Sequence, residues 1–115
     1  FSKHIFLLSF SLYLLLNVNA NSYFISTSSG DDNNSGLSSQ FPINSINKLN
    51  TFTFQPGDSI LFKAGDIWQG MFWLKGSGDP NNSIVVDSYG GAGKATINGN
   101  GYQSCILIYN NEYIS

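Results

Sequence analysis

The sequence contains no Arg, and its 115 residues hold five Lys against seven Asp and Glu. Charged residues make up 10 % of the chain, under half of the roughly 25 % usual in globular proteins. That balance excludes a basic nucleic-acid surface, and no nucleic-acid partner is expected. There is one Cys, Cys105, and one His, His4. A single Cys excludes an internal disulfide framework and any CxxC zinc or redox centre. From residue 21 onward the chain has no imidazole, so a Ser-His pair or a His-ligated metal is excluded there. What fills the space is 14 Asn, 17 Ser and 12 Gly, with aromatics at 15 %. That aromatic content is too high for a disordered tail, and the length allows one domain at most.

Residues 1–20 read as a secretory signal peptide. Lys3 and His4 open it, and Ile5 to Leu16 is apolar apart from Ser9 and Ser11. Val18 and Ala20 then fit a signal-peptidase site, with cleavage after Ala20. Twelve helical residues span about 18 Å, too short for a bilayer core of about 30 Å. The expectation is a secreted or cell-surface protein with no stable membrane insertion once the leader is removed. The chain starts with Phe1 rather than Met, and Tyr113-Ile114-Ser115 resembles a strand cut in the middle. Residues 21–115 therefore read as the front portion of a longer protein.

Helical periodicity is nearly absent beyond Pro42 to Leu49, where Ile43, Ile46 and Leu49 recur every three residues and Pro42 suits a first helical turn. The rest reads as short strands between Gly, Asn, Asp and Ser clusters: Tyr23 to Thr27, Ser59 to Lys63, Met71 to Leu74, Ile84 to Ser88, Ala95 to Asn98, Cys105 to Tyr109, and one beginning at Tyr113. Ile60-Leu61-Phe62, Ile84-Val85-Val86 and Ile106-Leu107-Ile108 recur at steps of 22 to 24 residues. Met71-Phe72-Trp73 and Ala95-Thr96-Ile97 form a second series. Two interleaved series predict an all-β solenoid of stacked parallel rungs, with Ile60, Phe62, Ile84, Val86, Ile106 and Ile108 in one core. A β-sandwich also spaces strands at 8 to 12 residues and is the alternative.

A longer pattern runs through the same residues. Tyr23-Phe24-Ile25-Ser26 leads into the turn Gly30-Asp31-Asp32-Asn33-Asn34-Ser35-Gly36. Phe41-Pro42 follows, then Pro56-Gly57-Asp58, the strand Ser59 to Lys63, and Gly65-Asp66. Asn82 to Gly90 and Ala95 to Gly99 look like early rungs. This order resembles the start of secreted right-handed parallel β-helix proteins of the pectate-lyase-like superfamily. The resemblance implies an N-terminal cap and the first two to three rungs of such a helix. It also implies an extracellular polysaccharide as partner, with lyase or glycoside hydrolase chemistry in the full-length protein. A non-catalytic β-helix surface or adhesion protein uses the same scaffold. The helix at Ile46-Asn47-Lys48-Leu49 is more polar than the family's usual cap.

Several residues could carry chemistry. Asp31, Asn33 and Ser35 place hard oxygens at alternate positions, as a calcium loop does, although Pro42 stands where an EF-hand places its Glu. They are weak metal candidates beside the plainer reading of an Asx-type turn, and calcium remains an expectation only for the full-length protein. Asp58 and Asp66 follow turn glycines, where a carboxylate accepts backbone N–H bonds. Lys63 and Lys75 are placed on solvated faces. Trp68, Phe72 and Trp73 form an aromatic cluster, read as burying the end of the first rung, with sugar stacking as the alternative. Cys105 reads as a small buried hydrophobe. No catalytic residue is assigned, and residues 21–115 by themselves are expected to cleave no acidic glycan.

Overall fold

The computed structural model describes residues 19–101, 105–109 and 111–115. The proposed leader lies outside these residues save for Asn19 and Ala20. The protein is all-β with one short helix. In order the elements are β1 (Ser22–Ile25), α1 (Ile46–Leu49), β2 (Ser59–Lys63), β3 (Ile67–Gln69), β4 (Phe72–Trp73), β5 (Val85–Tyr89), β6 (Thr96–Asn98) and β7 (Ile106–Leu107). None of the described helices is long and apolar enough to cross a membrane.

Every strand ladder among the described residues is parallel. One sheet runs β1-β2-β5, a second pairs β3 with β6, and a third pairs β4 with β7. The chain visits the three sheets in turn, then visits them in the same order again. Ile60 lies beside Tyr23 and Val86, Trp68 beside Ile97, and Phe72 beside Ile106. After β1, β2 and β5, a fourth pass along the first sheet begins at Ile114, which bridges Ile84 in parallel, and Val86 N–H donates to the Ser115 carbonyl at 2.8 Å. The sandwich alternative needs antiparallel sheets. Among the described residues the one antiparallel bridge is the local turn Asp79–Asn82.

The alternation of β2 fixes which side faces in. Ile60 and Phe62 are buried while Ser59, Leu61 and Lys63 are half-buried, as a period of two requires. Three sheets pointing inward make one core of Ile25, Ile43, Ile46, Leu49, Phe54, Ile60, Phe62, Trp68, Phe72, Leu74 and Ile84. Aromatic rings run through it in edge contacts. Tyr23 meets Phe54 at 5.1 Å, Phe54 meets Phe72 at 6.2 Å, Phe72 meets Phe62 at 6.0 Å, and Phe62 meets Trp68 at 5.1 Å. The tilted, edge-on geometry is what ring quadrupoles favour.

The expected rung phase needs correction. Ile106 does not stack on Ile84. It pairs with Phe72 in the third sheet, and β6 pairs with β3 rather than with the Met71 to Trp73 stretch. The short strand β3 is what the spacing argument lacks. Its one inward side chain, Trp68, carries no visible alternation, so three faces look like two. Ile106 and Ile108 are exposed, at 36 % and 47 %, with no further row over them among the described residues. Cys105, just before β7, is exposed rather than buried.

The amino-terminal end is closed by polar devices and by α1. Ile46 and Leu49 are buried, as predicted, but the helix starts at Ile46 and not in the turn after Pro42. Ile43 is needed elsewhere. It bridges Ile25 in parallel, its N–H donates to the Phe24 carbonyl at 3.0 Å, and Ser26 N–H donates to its carbonyl at 2.9 Å. With Phe24 N–H donating to the Gly36 carbonyl at 2.7 Å, the free edge of β1 is satisfied without another strand, which removes a template for aggregation. Ser45 then caps α1 by accepting from Lys48 N–H at 3.1 Å, the usual N-cap bond. Gly30 permits this fold-back. A Cβ there would sit 2.2 Å from the Ile43 and Ser26 carbonyl oxygens.

Candidate functional site

The carboxylates come first, because glycoside chemistry requires a pair of them. Asp58 is fully buried. It accepts Asn21 N–H at 2.9 Å and Gln55 N–H at 2.8 Å. Asp32 accepts Asn44 N–H and Ser45 N–H, each at 2.8 Å, and the Ser45 hydroxyl at 2.6 Å. Burial raises its pKa, but those three bonds and the Lys48 charge outweigh it, so Asp32 stays below the usual carboxylate value. Asp66 accepts the Ser26 hydroxyl at 2.8 Å, the Ser28 hydroxyl at 3.1 Å and Ser28 N–H at 3.2 Å. There too desolvation pushes up and the hydrogen bonds win, leaving the pKa lowered. Asp79 accepts Asn81 N–H and Asp87 accepts Ser88 N–H. With Asp31, described next, all six Asp residues accept a backbone N–H, locally at Asp31, Asp79 and Asp87 and across longer stretches of chain at Asp32, Asp58 and Asp66.

The predicted cation loop is a pair of turns. Asp31 accepts Asn33 N–H at 2.8 Å, and the Ser35 hydroxyl accepts Leu37 N–H at 3.1 Å. Among the described residues no group of three or more His, Cys, Asp or Glu is gathered as a metal would need. The side chain that organises this loop is Asp32, which sequence reading passed over. The signal was available, since Ser45 opens a helix and wants an acidic neighbour.

The aromatic cluster divides. Trp68 and Phe72 are buried at 2 % and 0 %, as expected, but Trp73 is 46 % exposed. Phe72 and Trp73 alternate, so when one side chain enters the core its neighbour must leave it. The backbone of Trp73 is held by Asn50. The Asn50 side chain accepts Trp73 N–H at 2.8 Å and donates to the Met71 carbonyl at 2.9 Å. One amide side chain thus supplies both bonds a neighbouring strand would make to β4. Lys75 extends its ammonium over the Trp73 ring, 4.7 Å from the centroid. The same Nζ donates to the Asn50 carbonyl at 2.7 Å. Gly76 lets the chain turn back here. Its φ is +118°, and a Cβ would stand 2.2 Å from the Phe54 carbonyl. Lys63 makes a similar contact on the first sheet, 5.7 Å from the Tyr89 ring, whose other neighbour is Phe24 at 5.0 Å.

A cavity of about 330 Å³ lies over the last row, lined by Phe62, Val86, Ala95, Ile97 and Ile106 with Asp87, Ser88 and Lys94. Its apolar walls are the inward side chains of that row.

No family model matches the chain. Over 85 residues, 69 % of its length, it is 34 % identical to a lacto-N-biosidase of Bifidobacterium longum subsp. longum. The match spans 5 % of that enzyme. The selenomethionine crystal structure of GH136 lacto-N-biosidase from Eubacterium ramulus superposes with a TM-score of 0.73 at 23 % identity, over 82 % of this chain and 19 % of that one. The native crystal structure gives 0.58 at 29 % identity, over 62 % and 12 %. The chain therefore spans a small part of each protein it matches. The likeness at 23 % identity is one of fold, and the homologues found are carbohydrate-active enzymes.

Proposed function

We propose that this chain is the opening segment of a secreted glycoside hydrolase of the lacto-N-biosidase kind, folded as the cap and first coils of a right-handed parallel β-helix. The observation that carries the enzymatic reading is the 34 % identity over 85 residues to a lacto-N-biosidase. The β-helix reading is supported by three parallel sheets visited twice in the same order. Crossovers between parallel strands of one sheet are right-handed in nearly all proteins, which sets the hand. Secretion rests on the leader of residues 1–20 and on an extracellular glycan as substrate.

In this reading the segment is scaffold, and its role in catalysis is to start the coil. Each of the six Asp carboxylates accepts at least one backbone N–H. The acid and its partner carboxylate, about 5 to 9.5 Å apart in glycosidases, come from other coils. The test uses the complete protein with a chromogenic lacto-N-bioside and with galacturonan. Release of the chromophore supports the reading. Unsaturated product from galacturonan, or no turnover of either, overturns it, the latter in favour of a non-catalytic β-helix.

A further inference from the structure

Trp73 is the one described Trp on the outside of the protein, and it is held more firmly than an exposed side chain needs. Ordering a large side chain costs entropy, which packing normally offsets. Here about half of the indole packs against nothing. Yet the Asn50 side chain holds the Trp73 N–H and the Met71 carbonyl two residues before it, Phe72 anchors the adjacent position at zero exposure, and Lys75 is pinned by the Asn50 carbonyl to sit over the ring. Lys75 can reach two acceptors with one ammonium because the Asn50 carbonyl and the indole lie within its span. The cation covers part of the ring and leaves the remainder to solvent. Leu107, beside Trp73 in the register, continues the outer face, and Tyr109, two residues on, is exposed at 66 %.

We propose that Trp73 is a glycan-stacking site on the outer face of β4, taking the apolar C–H face of an uncharged pyranose. Lys75 and Asn50 are its positioning residues. The proposal rests on the carbohydrate-active reading above and adds to it a binding surface away from the inward core. A rigid aromatic face matched to a sugar ring gains contact without losing rotamer freedom. Both partners of Lys75, the indole and the Asn50 carbonyl, are uncharged, so the ammonium keeps its charge beside the ring. Stacking on the C–H face of a pyranose needs no charge on the sugar, and a neutral sugar is the ligand proposed.

The test is acrylamide quenching of tryptophan fluorescence in the full chain, titrated with lactose, cellohexaose and trigalacturonate. Trp68 is buried, so added quenching reports Trp73. Cellohexaose should protect the exposed indole, with an affinity insensitive to salt. W73A should lower that affinity about ten-fold or more, measured by calorimetry, while W73F keeps most of it. K75A should weaken binding several-fold without making it salt-dependent. A thermal melt of each variant separates lost binding from lost folding. The proposal is overturned if no neutral sugar protects the indole, if W73A binds like the parent, or if trigalacturonate binds best and salt abolishes it. If the complete protein hydrolyses a lacto-N-bioside and neutral glycans leave Trp73 unprotected, this site fails and the enzymatic reading stands. If cellohexaose protects Trp73 and no glycoside is cleaved, the enzymatic reading fails alone.

Discussion

The first and second rows of strands have the same inward chemistry and unequal burial at their paired positions. Ile60, Trp68 and Phe72 are at 0 %, 2 % and 0 % exposure. Their row neighbours Val86 and Ile97 are only partly buried, and Ile106 is exposed. The side chains point the same way, so the sheet itself does not bury them. The neighbouring row does. In stacked architectures stability is nearest-neighbour, and the first row gains from both sides: the second row above, and α1 with Phe54, Ile43 and Leu49 below.

The sharpest way to break this contrast is to truncate matched positions. Phe72→Ala should cost about 3–5 kcal/mol, the range for an aromatic removed from a closed core. In the 115-residue chain, Ile106→Ala, its register partner, should cost under about 1 kcal/mol, because the removed atoms already touch water. Urea midpoints of the two variants decide it. Equal losses would mean that the rows are not energetically distinct.

A second test stays in the first row but removes polar rather than apolar support. Asp58→Ala empties a fully buried position and removes the acceptor of Asn21 N–H and Gln55 N–H, which lie on exposed residues. Losing hydrogen bonds to a charged acceptor costs about 1.5–3 kcal/mol, so Asp58→Ala should lower the urea midpoint. Asp87→Ala, on the exposed second row, should leave it nearly unchanged.

The same contrast explains what the sequence disclosed. Period-two alternation in Ser59 to Lys63 placed β2 to the residue, and the Ile43, Ile46 and Leu49 spacing identified three buried positions. Asp58 after its turn glycine was legible as a backbone acceptor, whereas Asp66 accepts mainly the Ser26 and Ser28 hydroxyls, which its own corner does not announce. The rung phase was not, because β3 and β4 are three and two residues long, shorter than any alternation that could be counted. Exposure at Ile106 and Cys105 was also hidden, since an apolar strand has the same letters whether or not another row covers it. At the candidate site, the cluster Trp68, Phe72 and Trp73 was visible as a group. Its division into two buried rings and one exposed ring depends on the direction of each side chain, which follows from β4 pairing with β7. Asn50 gave no signal, because nothing in a single Asn announces that its amide will stand in for a strand.

A smaller effect separates the amino-terminal loops from the rest by pH. Asp32 ties residues 44 and 45 to the Gly30 to Gly36 turn, and Asp66 ties Ser26 and Ser28 to the corner after β2. Both carboxylates have folded pKa values below 3.8. A depressed acid contributes stability that is present above its unfolded pKa of about 3.9 and lost as pH falls through the folded value. Unfolding midpoints should therefore hold steady down to about pH 4 and decline below it. In Asp32→Asn with Asp66→Asn that decline should be shallower, because two of the linked protons are gone. A doubly substituted protein that loses stability with the parent's slope would assign the acid sensitivity to other carboxylates.

The smallest expected effect is at the opposite end of the pH scale and tests whether the second row is wet on its outer side. Tyr89 lies in β5, with its ring against Phe24 and under the Lys63 ammonium. Burial is the main cause that raises its pKa above 10.0, and the Asp66 charge adds to it. For a phenol this means the neutral form is favoured in the fold. Stability is full below the unfolded value and lost as pH rises through the folded one. Absorbance at the phenolate band should show one tyrosine ionising above the ordinary phenol value. Phe24→Ala should open the ring to water and bring that titration back toward the ordinary value, whereas Asp66→Asn should shift it less. If Asp66→Asn moves it more than Phe24→Ala, charge rather than burial governs the site. The outer face of the second row would then be as wet as its uncovered inner face.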